Sequence, residues 1–190
     1  MLAIKDYNRE RAVLYARRWA RGRNPLFYNF TGIGGDCTNF VSQSILAGSC
    51  VMNYTPDFGW YYISADDRAP AFTSVEFFWD FFTGAPAFLA ANGGIGPFGT
   101  VATREELVVG DVVQLGDMAG DYYHTLLITE LRGDEILVSA HSNDVYNRPL
   151  SSYDAPLLRF LHIEGVRFEA SDDTCFEGLL AGEQLPMPPA

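Results

Sequence analysis

Gly34-Gly35-Asp36-Cys37-Thr38-Asn39-Phe40-Val41-Ser42-Gln43 delivers a cysteine from a glycine loop straight into an apolar helical pattern. Phe40, Val41, Ser44 and Ile45 recur at helical spacing, which predicts a helix from Cys37 to Ala47 with that face buried. A cysteine in the first turn of a helix feels the positive end of the macrodipole and unpaired backbone N–H groups, and both favour thiolate over thiol. The same N–H groups can face a developing oxyanion. The stretch therefore reads as the mount of a thiol nucleophile, and the rest of the chain must supply a base.

Upstream, Ala12, Val13, Tyr15, Ala16, Trp19 and Ala20 predict a helix between Asp6 and Arg21, capped by Asn8 and stopped by Gly22, Asn24 and Pro25. Residues 48–71 combine Gly, Pro, Asn and aromatics with little periodicity and read as a long structured excursion. A third helix is expected from Ser74 to Thr83, ended by Gly84; Ala91 to Gly99 is glycine-rich, and a small helical turn or loop precedes Val109-Gly110-Asp111. The pattern then switches to strands at Asp111–Leu115, Tyr122–Glu130, Glu135–Ser142 and Leu158–Glu164. Helices first and a meandering sheet second give an α+β class, with the Cys37 helix docked on the sheet. Residues 1–170 read as one domain, and 171–190 as an acidic, Pro-rich tail, weakly ordered apart from Phe176–Leu180.

A chain of 190 residues with 48% hydrophobic content, including 14 Phe and 10 Tyr, can bury a core without covalent staples. The net charge of −11 carries no basic block, which argues against nucleic acid as a partner. Three cysteines, Cys37, Cys50 and Cys175, are too few for a disulfide framework and lack zinc spacing, so reduced thiols are expected, with a Cys50–Cys175 bridge left open. Charged residues interrupt Met1 to Arg23, so no signal-peptide core is present, and no segment is long enough to cross a bilayer. As written the chain reads as cytoplasmic, or as secreted where a longer product supplies the leader.

Cysteine chemistry needs a group that takes the thiol proton and returns it to the leaving group, and histidine suits both roles near neutral pH. His124 opens an apolar strand, His141 follows the next one, and His162 lies in the last. A turn at Arg132, Gly133 and Asp134 can bring His124 and His141 side by side, with His124 as base and His141 as its orienting partner. Asn143 and Asp144 compete for the orienting role. Asp36 reads as a helix N-cap, Gln43 as a locally bonded residue, and Asp111 as a turn former. Tyr28 stands between a core tyrosine and a hydroxyl near the oxyanion, while Trp60, Tyr61 and Tyr62 stand between core and substrate groove. Nothing in the chain suggests a metal, a cofactor or a phosphate site.

Four elements in order, Asp36-Cys37-Thr38-Asn39-Phe40-Val41-Ser42-Gln43, Gly110-Asp111-Val112-Val113-Gln114, Tyr123-His124-Thr125 and Ala140-His141-Ser142, resemble the putative amidase domain of the NlpC/P60 and papain-like cysteine hydrolases. The resemblance runs from Tyr7 to Phe168 and includes Gly59-Trp60-Tyr61-Tyr62 and Arg148-Pro149-Leu150-Ser151-Ser152-Tyr153. It implies a papain-like fold, with N-terminal helices packed on a C-terminal antiparallel sheet. It also implies metal-independent amide hydrolysis through a thioester acyl-enzyme, with Cys37 as nucleophile, His124 as base, and His141 or Asn143 as orienting residue. Tyr28, Asp36, Trp60 and Tyr61 are the candidate substrate contacts, and the implied partner is a peptide or small amide such as a peptidoglycan fragment. The alternatives are an acyl transferase using the same thioester and an inactive cell-wall or surface binding module. The position of the His124 ring relative to the Cys37 sulfur separates enzyme from binding module, because side chains on opposite faces of the sheet cannot react.

Overall fold

Asn8 opens the first helix through its side chain, which accepts the Arg11 N–H at 3.0 Å, and α1 runs over Arg9–Trp19 in the computed structural model, which describes residues 2–169 and 174–186. A short strand, β1 (Ala3–Lys5), precedes it. The cysteine helix α2 (Cys37–Ser49) follows, then α3 (Pro70–Thr73), α4 (Val75–Thr83) and α5 (Leu89–Asn92). The strands are β2 (Gly96–Ala102), β3 (Val112–Gly116), β4 (Tyr122–Arg132), β5 (Glu135–Ala140), β6 (Val145–Pro149) and β7 (Leu157–Phe168), with α6 (Cys175–Ala181) last. The α+β reading holds, with helices preceding an antiparallel sheet. The glycine-rich stretch Ala91–Gly99 feeds β2, and residues 171–173 and 187–190 of the expected tail lie outside the described residues.

The sheet has seven strands in the order β1-β7-β3-β4-β5-β6, and β2 pairs β7 off that path. Its pleat sorts side chains between two cores. Val112, Leu127, Leu161 and Ile163 point toward the helices, whereas Val113, Leu115, Leu126, Ile128, Val138 and Ala140 fill a second core on the other face.

All residues of α2 are buried, so this helix has no solvent side and its polar residues must find partners inside. Thr38 and Thr125 of β4 share a hydroxyl hydrogen bond at 2.9 Å, Trp60 Nε1 donates to Ser42 Oγ at 3.0 Å, and Tyr15 Oη donates to Gln43 Oε1 at 2.8 Å. Gly48 is where α2 passes closest to the start of α1, and a Cβ there would overlap the Tyr7 ring and the Asn8 carbonyl. Trp60 is fully buried among Phe72, Phe81 and Phe82, so its candidate role as a substrate contact gives way to a core one.

The expectation of reduced thiols is corrected by a Cys50–Cys175 disulfide, with Cα atoms 5.6 Å apart, that fastens α6 to the end of α2. Phe176 and Leu179 of α6 enter the main core, and the carbonyls of Leu179 and Leu180 accept from Asn24 Nδ2 at 2.8 Å and Trp19 Nε1 at 3.2 Å. A bridge across a sequence separation of 125 restricts the unfolded chain strongly. Native disulfides commonly contribute about 3 kcal/mol, which for a chain of this length corresponds to roughly 10 °C in Tm. We expect reduction, or a Cys50→Ala/Cys175→Ala double variant, to lower Tm by about that amount in calorimetry, whereas an unchanged Tm would refute the bridge.

Candidate functional site

Asp36 sits at the N-terminus of α2 but does not cap it, because its side chain accepts from no backbone N–H of the first turn. The carboxylate is buried and gathers other segments instead. Oδ1 accepts the Phe30 N–H at 3.1 Å and Asn39 Nδ2 at 2.8 Å, while Oδ2 lies 2.6 Å from His141 Nδ1 and 3.3 Å from Arg23 Nε. Burying a carboxylate is costly unless charge and hydrogen bonds compensate, and here all four neighbours do so.

His141 is itself buried. Its second ring nitrogen, Nε2, lies 3.0 Å from the Trp19 carbonyl, and the ring stacks on Phe40 with centroids 4.1 Å apart. Both nitrogens face acceptors that belong to the scaffold, which leaves none to orient another histidine. The alternative, Asn143, is exposed in the turn after β5, where neighbouring Asp144 pairs with Arg23 at 2.9 Å.

Cys37 is the free cysteine among the described residues, and it is 6% exposed. Its sulfur lies 3.9 Å from Thr38 Oγ1 and forms no hydrogen bond to a histidine among the described residues. Burial pushes the thiol above its ordinary range, and the backbone N–H of Thr125 and the Thr38 side chain pull only partly the other way. The helix terminus alone therefore does not produce a thiolate here.

The parity of β4 decides where His124 points. Leu115 pairs with His124 and Gln114 with Thr125, so each pair shares a face. Thr125 bonds to Thr38 of α2, and Gln114 donates to Thr125 Oγ1 at 3.1 Å, which puts both on the helix side. His124 therefore lies with Leu115 on the second core's side, its ring 6.2 Å from that of Tyr153. Burial, followed by the charge of Arg148, pushes the imidazole down to about 4. A base so weak would take little of a thiol's proton at neutral pH, even if it faced Cys37.

These placements overturn the expected thiol enzyme. Two cysteines are bridged, the third is a buried thiol without a base, and Cys37, His124 and His141 do not assemble as a triad. The cysteine hydrolase, its thioester intermediate and its description as a cysteine peptidase-like protein are accordingly withdrawn. No group of three or more His, Cys, Asp or Glu residues among the described ones could hold a metal.

Tyr28 is 48% exposed, so it is not a core residue, and its position is fixed by its backbone: the N–H donates to Tyr62 Oη at 2.8 Å and the carbonyl accepts from Asn39 at 3.0 Å. Tyr61 is partly buried and packs against Tyr54. Sequence reasoning missed Arg23, whose place just after the glycine that ends α1 carried no sign that it would reach Asp36. It also underrated Asp111, whose buried carboxylate joins Arg9 at 2.6 Å, His162 at 2.8 Å and the Val108 and Ile163 N–H groups. That hub ties α1 to β7 and explains why His162 is structural.

Helices packed on an antiparallel sheet, with α2 buried against β4, define a mixed α+β domain. Residues 6–160 match the family described as putative amidase domain, and the chain belongs to that family. It is similar to the uncharacterized protein YhbB of Bacillus subtilis (strain 168), at 30% identity over 181 residues, which is 90% of this chain and 53% of that protein. The chain thus spans about half the length of this relative. No solved structure matches the chain. No described helix is long and apolar enough to cross a membrane.

The His124 environment predicts an acid sensitivity. The folded state holds the group near 4 against an ordinary value of 6.5, so between these values the unfolded chain binds more protons and stability is lost as the pH is lowered. We expect a loss of up to about 3 kcal/mol between pH 7 and pH 4 in urea titrations. His124→Gln should lose less over that interval, and an identical pH profile for both proteins would contradict the buried neutral imidazole.

Proposed function

We propose that this chain is a binding module of the amidase-domain family that holds an amide- or peptide-type ligand without thiol chemistry. The observation that carries this reading is the alternation of β4, which gives Thr125 to Thr38 of α2 and His124 to Tyr153 on the other side, with the Cys37 thiol pushed up by burial. An acyl transferase would need the same thiolate and is disfavoured on the same ground.

The ligand surface that fits this reading lies at the α2 N-terminus, where the exposed Tyr28 is joined through Asn39 to the buried Asp36 network. A tyrosine presents a flat apolar face to a peptide plane and a hydroxyl to its polar groups. Residues 1–170 act as one unit in this proposal. A papain-like arrangement, with a helix N-terminus set against an antiparallel sheet, makes that end of the molecule the natural place for a peptide. Peptidoglycan stem peptides are the finer candidate, in keeping with a cell-wall or surface setting. The Cys50–Cys175 bridge supports such a setting, since disulfides persist in oxidising compartments.

The test combines binding with product analysis. Isotope-labelled protein is titrated with stem peptides and simple peptide amides while mass spectrometry follows both ligand and protein. We expect saturable chemical-shift changes around Tyr28 and Asn39, intact ligand and unchanged protein mass, with Tyr28→Ala weakening binding about tenfold. Amide cleavage or an acyl adduct on Cys37 would contradict the proposal.

A further inference from the structure

We propose that His124, Arg148 and Tyr153 form a carboxylate-binding site on the sheet face opposite Cys37. The site rests on the same placement of His124 away from Cys37 and does not depend on what binds at the α2 N-terminus. His124 reaches it from β4, Arg148 from β6, and Tyr153 from the turn that follows β6.

The three side chains are held together by their own geometry. The Arg148 guanidinium lies 4.0 Å from the centroid of the Tyr153 ring, and that ring is 6.2 Å from the His124 ring. Arg148 is fixed by Nε donating to Ser152 Oγ at 2.8 Å and Nη2 donating to the Ser152 carbonyl at 3.1 Å. The Tyr153 hydroxyl is buried with only the Arg148 side chain beside it as a donor, which leaves its own proton without an acceptor, and no hydrogen bond joins His124 to a described residue. A buried hydroxyl whose proton lacks an acceptor is costly, so its retention beside two further donors needs a reason.

An anion supplies that reason. A guanidinium N–H, a phenol O–H and an imidazole N–H together offer three donors and a single positive charge. Arg148 is the charged group acting on His124, while Leu115, which faces it from β3, and Tyr153 are neutral. A monoanionic carboxylate matches the single charge of this set, whereas a dianion would leave one of its charges uncompensated. A bound carboxylate would also favour protonation of His124, converting a neutral donor into a charged one, so binding takes up a proton as pH falls.

The full chain is titrated with acetate, with neutral acetamide and with inorganic phosphate, following the His124 ring by NMR. We expect acetate alone to raise the His124 titration by about two units and to bind about tenfold more tightly at pH 5 than at pH 7. Arg148→Gln should abolish the acetate response. Tyr153→Phe should weaken acetate binding severalfold without lowering Tm, since it removes a hydroxyl whose proton has no acceptor in the fold, and a residue that merely packs would not show that combination. The proposal is overturned if acetamide acts like acetate, if phosphate binds as tightly as acetate, or if Tyr153→Phe leaves acetate affinity unchanged.

Discussion

The buried carboxylate of Asp36 is the constraint on which the α2 end of the molecule depends. It draws the Phe30 backbone, the Asn39 side chain, the His141 ring and the Arg23 guanidinium to one point. Arg23 extends the network to Asp144, and His141 extends it to the last turn of α1 through the Trp19 carbonyl. The glycine loop, the first helix and the end of β5 are thereby locked against the start of α2. Removing one partner from such a cluster leaves a buried charge uncompensated, which costs far more than the net worth of the pair.

That arrangement also consumes the chemistry that the α2 sequence promises. The histidine following β5 serves the carboxylate beside the cysteine and never reaches the histidine of β4. His124 in turn is separated from Cys37 by the alternation of a single strand, since Thr125 occupies the helix-facing position next to it. One residue of parity thus distinguishes a thiol beside a base from a thiol beside a hydroxyl. A family scaffold can keep every signature residue and still hold them in separate environments, because function resides in the site and not in the fold.

Much of the fold was legible in the sequence. Asn8 capping α1, the apolar spacing after Cys37, Gly84 closing α4 and the alternating runs of β3, β4 and β5 each follow from a local rule. Elements with weak local patterns were not legible. β2 begins with Gly-Pro and carries a bulge between Phe98 and Gly99, while β6 contains Asn147 at positive φ, so neither shows a clean period of two. The site was legible as a set of residues but not as a geometry. Nothing in the spelling of His124-Thr125 reveals which of the two faces the helix, and no spacing rule predicts that Cys50 and Cys175 meet.

The state of the Cys37 thiol tests this account most directly, and the pH dependence of its alkylation by iodoacetamide reports that state. Burial without a base predicts slow modification with a midpoint above the ordinary thiol range of about 8.5. A fast reaction with a midpoint below neutrality, lost in His124→Gln, would reveal a thiolate–imidazolium pair and contradict the placement of these side chains on opposite faces of the sheet.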